Sequence, residues 1–144
     1  MKVVLQRVKN ASVSIDGNTY SSINKGYLLL VGFTHGDDIN LVKKTAKKIY
    51  NLRVFSDEND KMNRSIRDVD GEILSVSQFT LYADTNSGNR PSFTKSMPFN
   101  DAKKLYEQFN DELRNYNVEV KTGVFGAMMD ISLVNDGPVT IIYD

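Results

Sequence analysis

The sequence predicts an α+β fold, a single domain over residues 1–144 in which mostly antiparallel and mixed sheets, of roughly seven to nine short strands, carry two main helices. Three observations predict it. The run Gly26–Phe33 (GYLLLVGF) is continuously apolar but short, which suits a strand covered on both faces better than a helix. Both ends of the chain hold β-branched or alternating runs. Between them lie two stretches with apolar residues at helical spacing.

At the start, KVVLQRV sets Val3, Leu5 and Arg7 against Val4, Gln6 and Val8, and SVSIDG continues as a second strand. Asp16-Gly17 in IDGNTY is a hairpin signal. The central strand Gly26–Phe33 then implies layers on either side. A helix is predicted over DDINLVKKTAKKIYNLRVF: Asp37 or Asp38 can cap it, and Ile39, Val42, Ala46 and Ile49 share one face. Lys43, Lys44, Lys47 and Lys48 fall on the opposite face, read either as solvated surface or as a phosphate-contacting patch. SDENDKMNRSIRDVDGE reads as a turn-rich loop with strand remnants. EILSVSQFTLYAD is a strand leading to a turn, and TNSGNRPSFTKSMPFN is a loop with two prolines. Asn100 or Asp101 is expected to cap a second helix, AKKLYEQFNDELRNY, lined by Leu105, Phe109 and Leu113. NVEVKTGVF, MMDISLV and VTIIYD complete the strands, with Pro138 at the first position of an edge strand.

Composition limits the function classes. Eighteen basic residues balance eighteen acidic ones, so no overall positive field advertises DNA or RNA, although a local basic face can do the same work. There is no cysteine, hence no thiol chemistry and no disulfide. No apolar run reaches about 18 residues and the N-terminus lacks a signal-peptide core, so a cytoplasmic protein without membrane contact is expected.

Catalytic machinery is conspicuous by its scarcity. His35 is the only histidine, which leaves no Ser-His or Cys-His arrangement, and its place after a strand and before a helix cap favours exposure. No zinc-ligand spacing and no phosphate-cradling glycine loop is present, so neither a metal nor a cofactor is expected. What remains is polar and non-ionisable. Ser77, Gln78 and Thr80 flank Phe79 at the end of a buried strand; they either satisfy local backbone groups or wall a pocket whose main chain faces a ligand. NDGPVT reads on its own as an Asp-Gly turn before a strand.

Together, LQRV (Leu5–Val8), DKMNRS, VSQFTL (Val76–Leu81), RPSF (Arg90–Phe93) and NDGPVT (Asn135–Thr140) closely resemble the D-aminoacyl-tRNA deacylase family, in order from the first strand to the last. The resemblance implies a homodimer with two sites at the subunit interface. The implied reaction is hydrolysis of the ester joining a D-amino acid to the 3′-terminal ribose of tRNA, together with removal of glycine mischarged onto alanine tRNA. It further implies that Gly137-Pro138 is cis, reaches into the other subunit's pocket and is held by Arg7. Ser77, Gln78 and Phe79 are then placed near the ribose and adenine, with Phe125 and Met129 close by.

On that basis the scarcity of reactive side chains has a chemical reason. An aminoacyl ester is activated by the neighbouring ribose hydroxyl, so an enzyme that holds it rigidly and lets the 2′-OH assist water needs little base of its own. Backbone N–H groups along Phe79 to Thr80 can stabilise the charge that develops on the carbonyl. Thr80 and Gln78 are expected to position rather than attack, because a threonine hydroxyl without a partner base is a poor nucleophile. Gly137 and Pro138 form the expected chiral filter: main-chain atoms standing where an L-Cβ would go reject every L-residue, while glycine slips through.

Overall fold

The computed structural model describes residues 1–144. Its organising strand is β1 (Lys2–Ile15), whose two edges are both used. One edge pairs first with β3 (Gly26–Gly32) and then, from Ala11 onward, with β2 (Asn18–Ile23); the other runs along β8 (Asp130–Tyr143). Asp16 and Gly17 take φ of 51° and 80°, two consecutive left-handed residues that match the twist of a tight β1–β2 hairpin. β3 continues in parallel into β6 (Glu72–Ser77) and β6 into β7 (Glu119–Thr122). The parallel pairs need crossovers. The first carries helix α1 (Ile39–Asn51) and the small hairpin β4 (Arg53–Ser56) and β5 (Met62–Ser65); the second carries α2 (Phe99–Asn115).

The sheet curls until its outer strands meet. The Ser21 hydroxyl donates to Thr122 O at 2.8 Å, and Lys121 Nζ donates to Ser22 O at 2.9 Å, joining β2 to β7 in a nearly closed barrel. This explains the unbroken apolar run in β3. Leu28 points inward to a cluster with Val8, Ala11, Val13, Ile23, Leu74 and Val76. Tyr27, Leu29 and Val31 point outward, where Val42, Ala46 and Ile49 of α1 and Leu105, Phe109 and Leu113 of α2 cover them. Each large side chain buried this way contributes about 2 kcal/mol.

Several expected boundaries move. KVVLQRV and SVSIDG form one strand rather than two, and MMDISLV and VTIIYD likewise join in β8. The first helix stops at Asn51 instead of running to Phe55: Leu52 is extended, and Val54 and Phe55 are strand residues in the pairing with β5. Asp38 does cap α1, its carboxylate accepting from Leu41 N at 3.0 Å. Asn100 and Asp101 do not cap α2, because Pro98 takes the cap position and the helix has already begun at Phe99. A proline at a helix entrance gives up no intrahelical hydrogen bond.

Tyrosines make this fold sensitive to alkali. Burial raises Tyr27, with Tyr143 adding to the shift and Arg7 opposing it, and burial also raises Tyr106 and Tyr143. Tyr82 is pushed up to about 12 by burial and then by the Asp37 and Asp144 carboxylates. An unfolded tyrosine ionises near 10, so this contribution to stability is complete below about pH 10 and is lost as pH rises toward 12. The urea midpoint is expected to fall between about pH 8 and about pH 11; an unchanged midpoint would contradict the assignment.

Candidate functional site

The end of β6 is shaped by what its neighbour lacks. A Cβ on Gly32 would lie 2.8 Å from Gln78 O, so glycine there lets the two chains stay close. Gln78 N donates to Val31 O at 2.8 Å. The chain then tightens into a 3₁₀ turn over Phe79–Tyr82, closed by Leu81 N to Gln78 O at 3.3 Å and Ala83 N to Thr80 O at 3.0 Å. The N–H groups of Phe79 and Thr80 begin that turn and have no acceptor inside it. Gln78 Nε2 donates to Thr80 Oγ1, tying the two side chains together.

Around this turn the side chains are aromatic and hydroxylic. Phe79 is 56% exposed; it meets Phe93 edge-on at 5.0 Å, and its carbonyl accepts from Ser96 Oγ at 3.1 Å. Phe93 and Ser96 are site neighbours that residue-by-residue reading missed, although the RPSF motif contains the first. His35 is exposed, with Nε2 2.8 Å from Thr94 O.

Phe125 and Met129 reach the same end of the molecule through β7. Ser75 is level with Thr122, the last pair of the β6–β7 ladder, and Val124 and Phe125 follow just beyond that end. Phe125 packs edge-on against Phe99 at 4.9 Å and tilted against Tyr106 at 5.6 Å. The Met129 thioether lies over Gly123, leaving no room there for a Cβ. A cavity of about 450 Å³ opens beside them, lined by Tyr20, Tyr106, Asn110, Arg114, Gly123 and Phe125.

Gly137-Pro138 does not begin a strand but interrupts one. Asn135 pairs with Val8 and Thr140 with Gln6, so the four residues Asp136–Val139 stand opposite Arg7 alone. Such a bulge leaves its extra residues unpaired and bends the strand, which is why proline is tolerated inside β8. Gly137 has φ of 121°, the Gly137-Pro138 bond is cis, and both residues are exposed. Arg7, 8% exposed, anchors the bulge. Its Nε donates to Asp136 O at 3.0 Å and lies 3.5 Å from the Asp136 carboxylate, while Nη1 donates to Val54 O. One buried guanidinium thus joins β1, β4 and β8, a use of its fixed fork that lysine does not offer.

The register also measures what one chain keeps apart. Ser77 is level with Val31 and hence with Val3, whereas the bulge is level with Arg7, four residues away and three strand spacings across. At about 3.3 Å per residue and about 4.8 Å per spacing, the path along the sheet from one stretch to the other is roughly 20 Å within a single chain.

Comparison with known proteins gives these positions a context. A family model described as D-Tyr-tRNA(Tyr) deacylase matches residues 4–144. Curated relatives named D-aminoacyl-tRNA deacylase include those of Exiguobacterium sibiricum and Lactobacillus acidophilus, each 56% identical over all 144 residues of this chain and 99% of the relative. That of Thermosipho africanus is 54% identical over the whole chain and 97% of the relative. A solved structure titled c-Myc DNA Unwinding Element Binding Protein superposes with a TM-score of 0.93 at 41% identity, covering 100% of this chain and 98% of its own. A probable eukaryotic D-amino acid tRNA deacylase shares the fold, with a TM-score of 0.83 at 15% identity over 99% and 97% of the two chains. With matches of this extent from end to end, the chain belongs to the D-Tyr-tRNA(Tyr) deacylase family.

Proposed function

We propose that this protein frees tRNA of D-amino acids as a homodimer in which each Ser77–Thr80 pocket is completed by the partner's Gly137-Pro138. Family membership makes it a hydrolase of aminoacyl-tRNA. The observation that carries the mechanism is the split between two stretches with exposed residues, Phe79-Thr80 and Gly137-Pro138. Each is built for contact, yet they are separated by roughly 20 Å along the sheet of one chain. A second copy is the simplest way to bring them together. The outer edge of β8 supports this, since β8 pairs only with β1 and leaves Val134 48% and Ile142 63% exposed. A long open edge strand with apolar side chains is a surface made for pairing.

In this reading the ester carbonyl sits against the N–H groups of Phe79 and Thr80, which oppose its developing charge without reorganising. Gln78 and Thr80 hold each other in place, and Phe79 offers a ring for stacking. Ser77, Phe125 and Met129 wall the ribose and adenine. The terminal 2′-OH assists the attacking water. Main-chain atoms around Gly137 and Pro138 occupy the direction of an L-Cβ, so D-residues and glycine enter, including glycine carried by alanine tRNA. No helix is long and apolar enough to cross a membrane, and a tRNA substrate supports the reading of a cytoplasmic enzyme.

The deciding experiment follows release of amino acid from D-Tyr-tRNA and L-Tyr-tRNA. Fast release from the first alone is expected; equal inertness toward both would sink the reading and favour a non-catalytic nucleic-acid-binding module. Thr80→Ala is expected to keep deacylation within about tenfold of the parent, a change of about 1.4 kcal/mol in the barrier. Substrate ending in 2′-deoxyadenosine is expected to be hydrolysed much more slowly, and unimpaired hydrolysis would refute assistance by the 2′-OH. Loss of Thr80→Ala activity to background with folding and dimerisation intact would instead make the hydroxyl the nucleophile.

A further inference from the structure

We propose that the outer face of α1 is a docking surface for the phosphate backbone of the tRNA, an inference that rests on the deacylase reading and adds to it. Over residues 39–56 the chain has five basic side chains and no acidic one, within a protein whose eighteen basic and eighteen acidic residues cancel overall. Lys43, Lys44, Lys47 and Lys48 are all exposed. None of them forms an ion pair. A positive stripe of this kind is a local field that overall neutrality conceals.

Its position relative to the pocket favours a polynucleotide. α1 follows β3, whose Val31 O accepts from Gln78 N, and the loop between them bridges through Thr34 to Ser96, beside Phe79. The helix therefore starts at the pocket end of the molecule. At 1.5 Å per residue, Lys43 lies about 6 Å and Lys48 about 14 Å along the axis from Ile39. The pairs 43/47 and 44/48 repeat about every 6 Å. An RNA whose 3′ end enters the pocket must carry its preceding phosphates away across a flanking surface, and this stripe leads away in that manner. Lys104, beside Ile39 at the junction of the two helices, and Lys103, at the rim of the Phe125 cavity, stand instead among the carboxylates of Asp37, Asp101, Glu107 and Asp111. The lysines of α1 itself are the unopposed ones.

An anionic membrane is the less suitable partner. A helix that lies on a bilayer inserts an apolar face, and here Val42, Ala46 and Ile49 are buried in the core.

The test compares the parent dimer with K43Q/K44Q/K47Q/K48Q. Binding of uncharged tRNA, read by fluorescence anisotropy across a salt series, is expected to lose roughly three to four units of slope in log K against log salt. The corresponding kcat/KM on D-Tyr-tRNA is expected to fall on the order of 100-fold at moderate salt, through KM. Hydrolysis of 3′-O-D-tyrosyl-adenosine, which carries no phosphate backbone, is expected to be unchanged. Equal tRNA affinity and salt slope in parent and variant would overturn the proposal, as would equal loss on tRNA and on the adenosine ester. Tighter parent binding to phosphatidylserine vesicles than to tRNA, abolished in the variant, would reassign the surface to membranes. A parent that binds tRNA through these lysines but hydrolyses neither ester would refute the deacylase reading and leave the docking surface standing.

Discussion

Gly137→Ala is expected to lower the preference for D-Tyr-tRNA over L-Tyr-tRNA by about 100-fold, equivalent to about 2.7 kcal/mol of discrimination. Two constraints meet at this residue. Its φ of 121° lies where an L side chain costs of order 1–3 kcal/mol. A Cβ there would also stand 2.9 Å from Arg7 Nη2 and 3.2 Å from Val139 Cγ2. Arginine tips usually swing aside, but this one is held by Val54 O and Asp136 O in a buried setting. The bulge must therefore move, taking with it the main-chain atoms proposed to exclude an L-Cβ. Arg7→Lys keeps the charge and loses the fork, so a smaller shift in the same direction is expected. Separate kcat/KM values for the two chiral substrates check both variants. A lower melting temperature with an unchanged D-to-L ratio would show that the bulge supports the fold but not the selection.

Gly26→Ala is expected to abolish folding, or to lower the melting temperature by about 10 °C or more. Gly26 and Glu72 open the parallel ladder between β3 and β6, and Glu72 N donates to Lys25 O at 3.0 Å beside them. A Cβ on Gly26 would lie 1.7 Å from Glu72 O. That oxygen belongs to the backbone, so no rotamer relieves the overlap and the strands must separate. Folded domains hold a margin of only about 5–15 kcal/mol, and parting the central pair exposes both clusters packed on it. Gly17→Ala is the control: its Cβ meets nothing within 4 Å, and only the strain of a positive φ, about 1 kcal/mol, is expected. Calorimetry distinguishes the pair, and a Gly26→Ala protein melting with the parent would refute the close approach.

Much of the fold can be read from periodicity because periodicity is local. The apolar face of α1, the two-sided burial of β3 and the Asp16-Gly17 hairpin each follow from spacing within a dozen residues. Helix ends were less legible, since Pro98 and Leu52 are set by how the next segment packs. The same holds for the long strands β1 and β8, whose pairing resumes on either side of bulges where the sequence alone suggests separate strands. At the site, VSQFTL and NDGPVT were recognisable as motifs, but nothing in their letters tells that Phe79 meets Phe93 or that Arg7 crosses from β1 to reach Asp136.

By itself the sequence determined most of the elements, the family, and the lack of cysteine and of any histidine but His35 that points to main-chain chemistry. Tertiary structure alone decided that four residues of β8 face one residue of β1, that Arg7 anchors them, and that bulge and pocket are separated on the same chain by three strand spacings. The physical reason is that register and bulges arise from pairing between strands distant in sequence. Their energy belongs to the pair, and no single segment carries it.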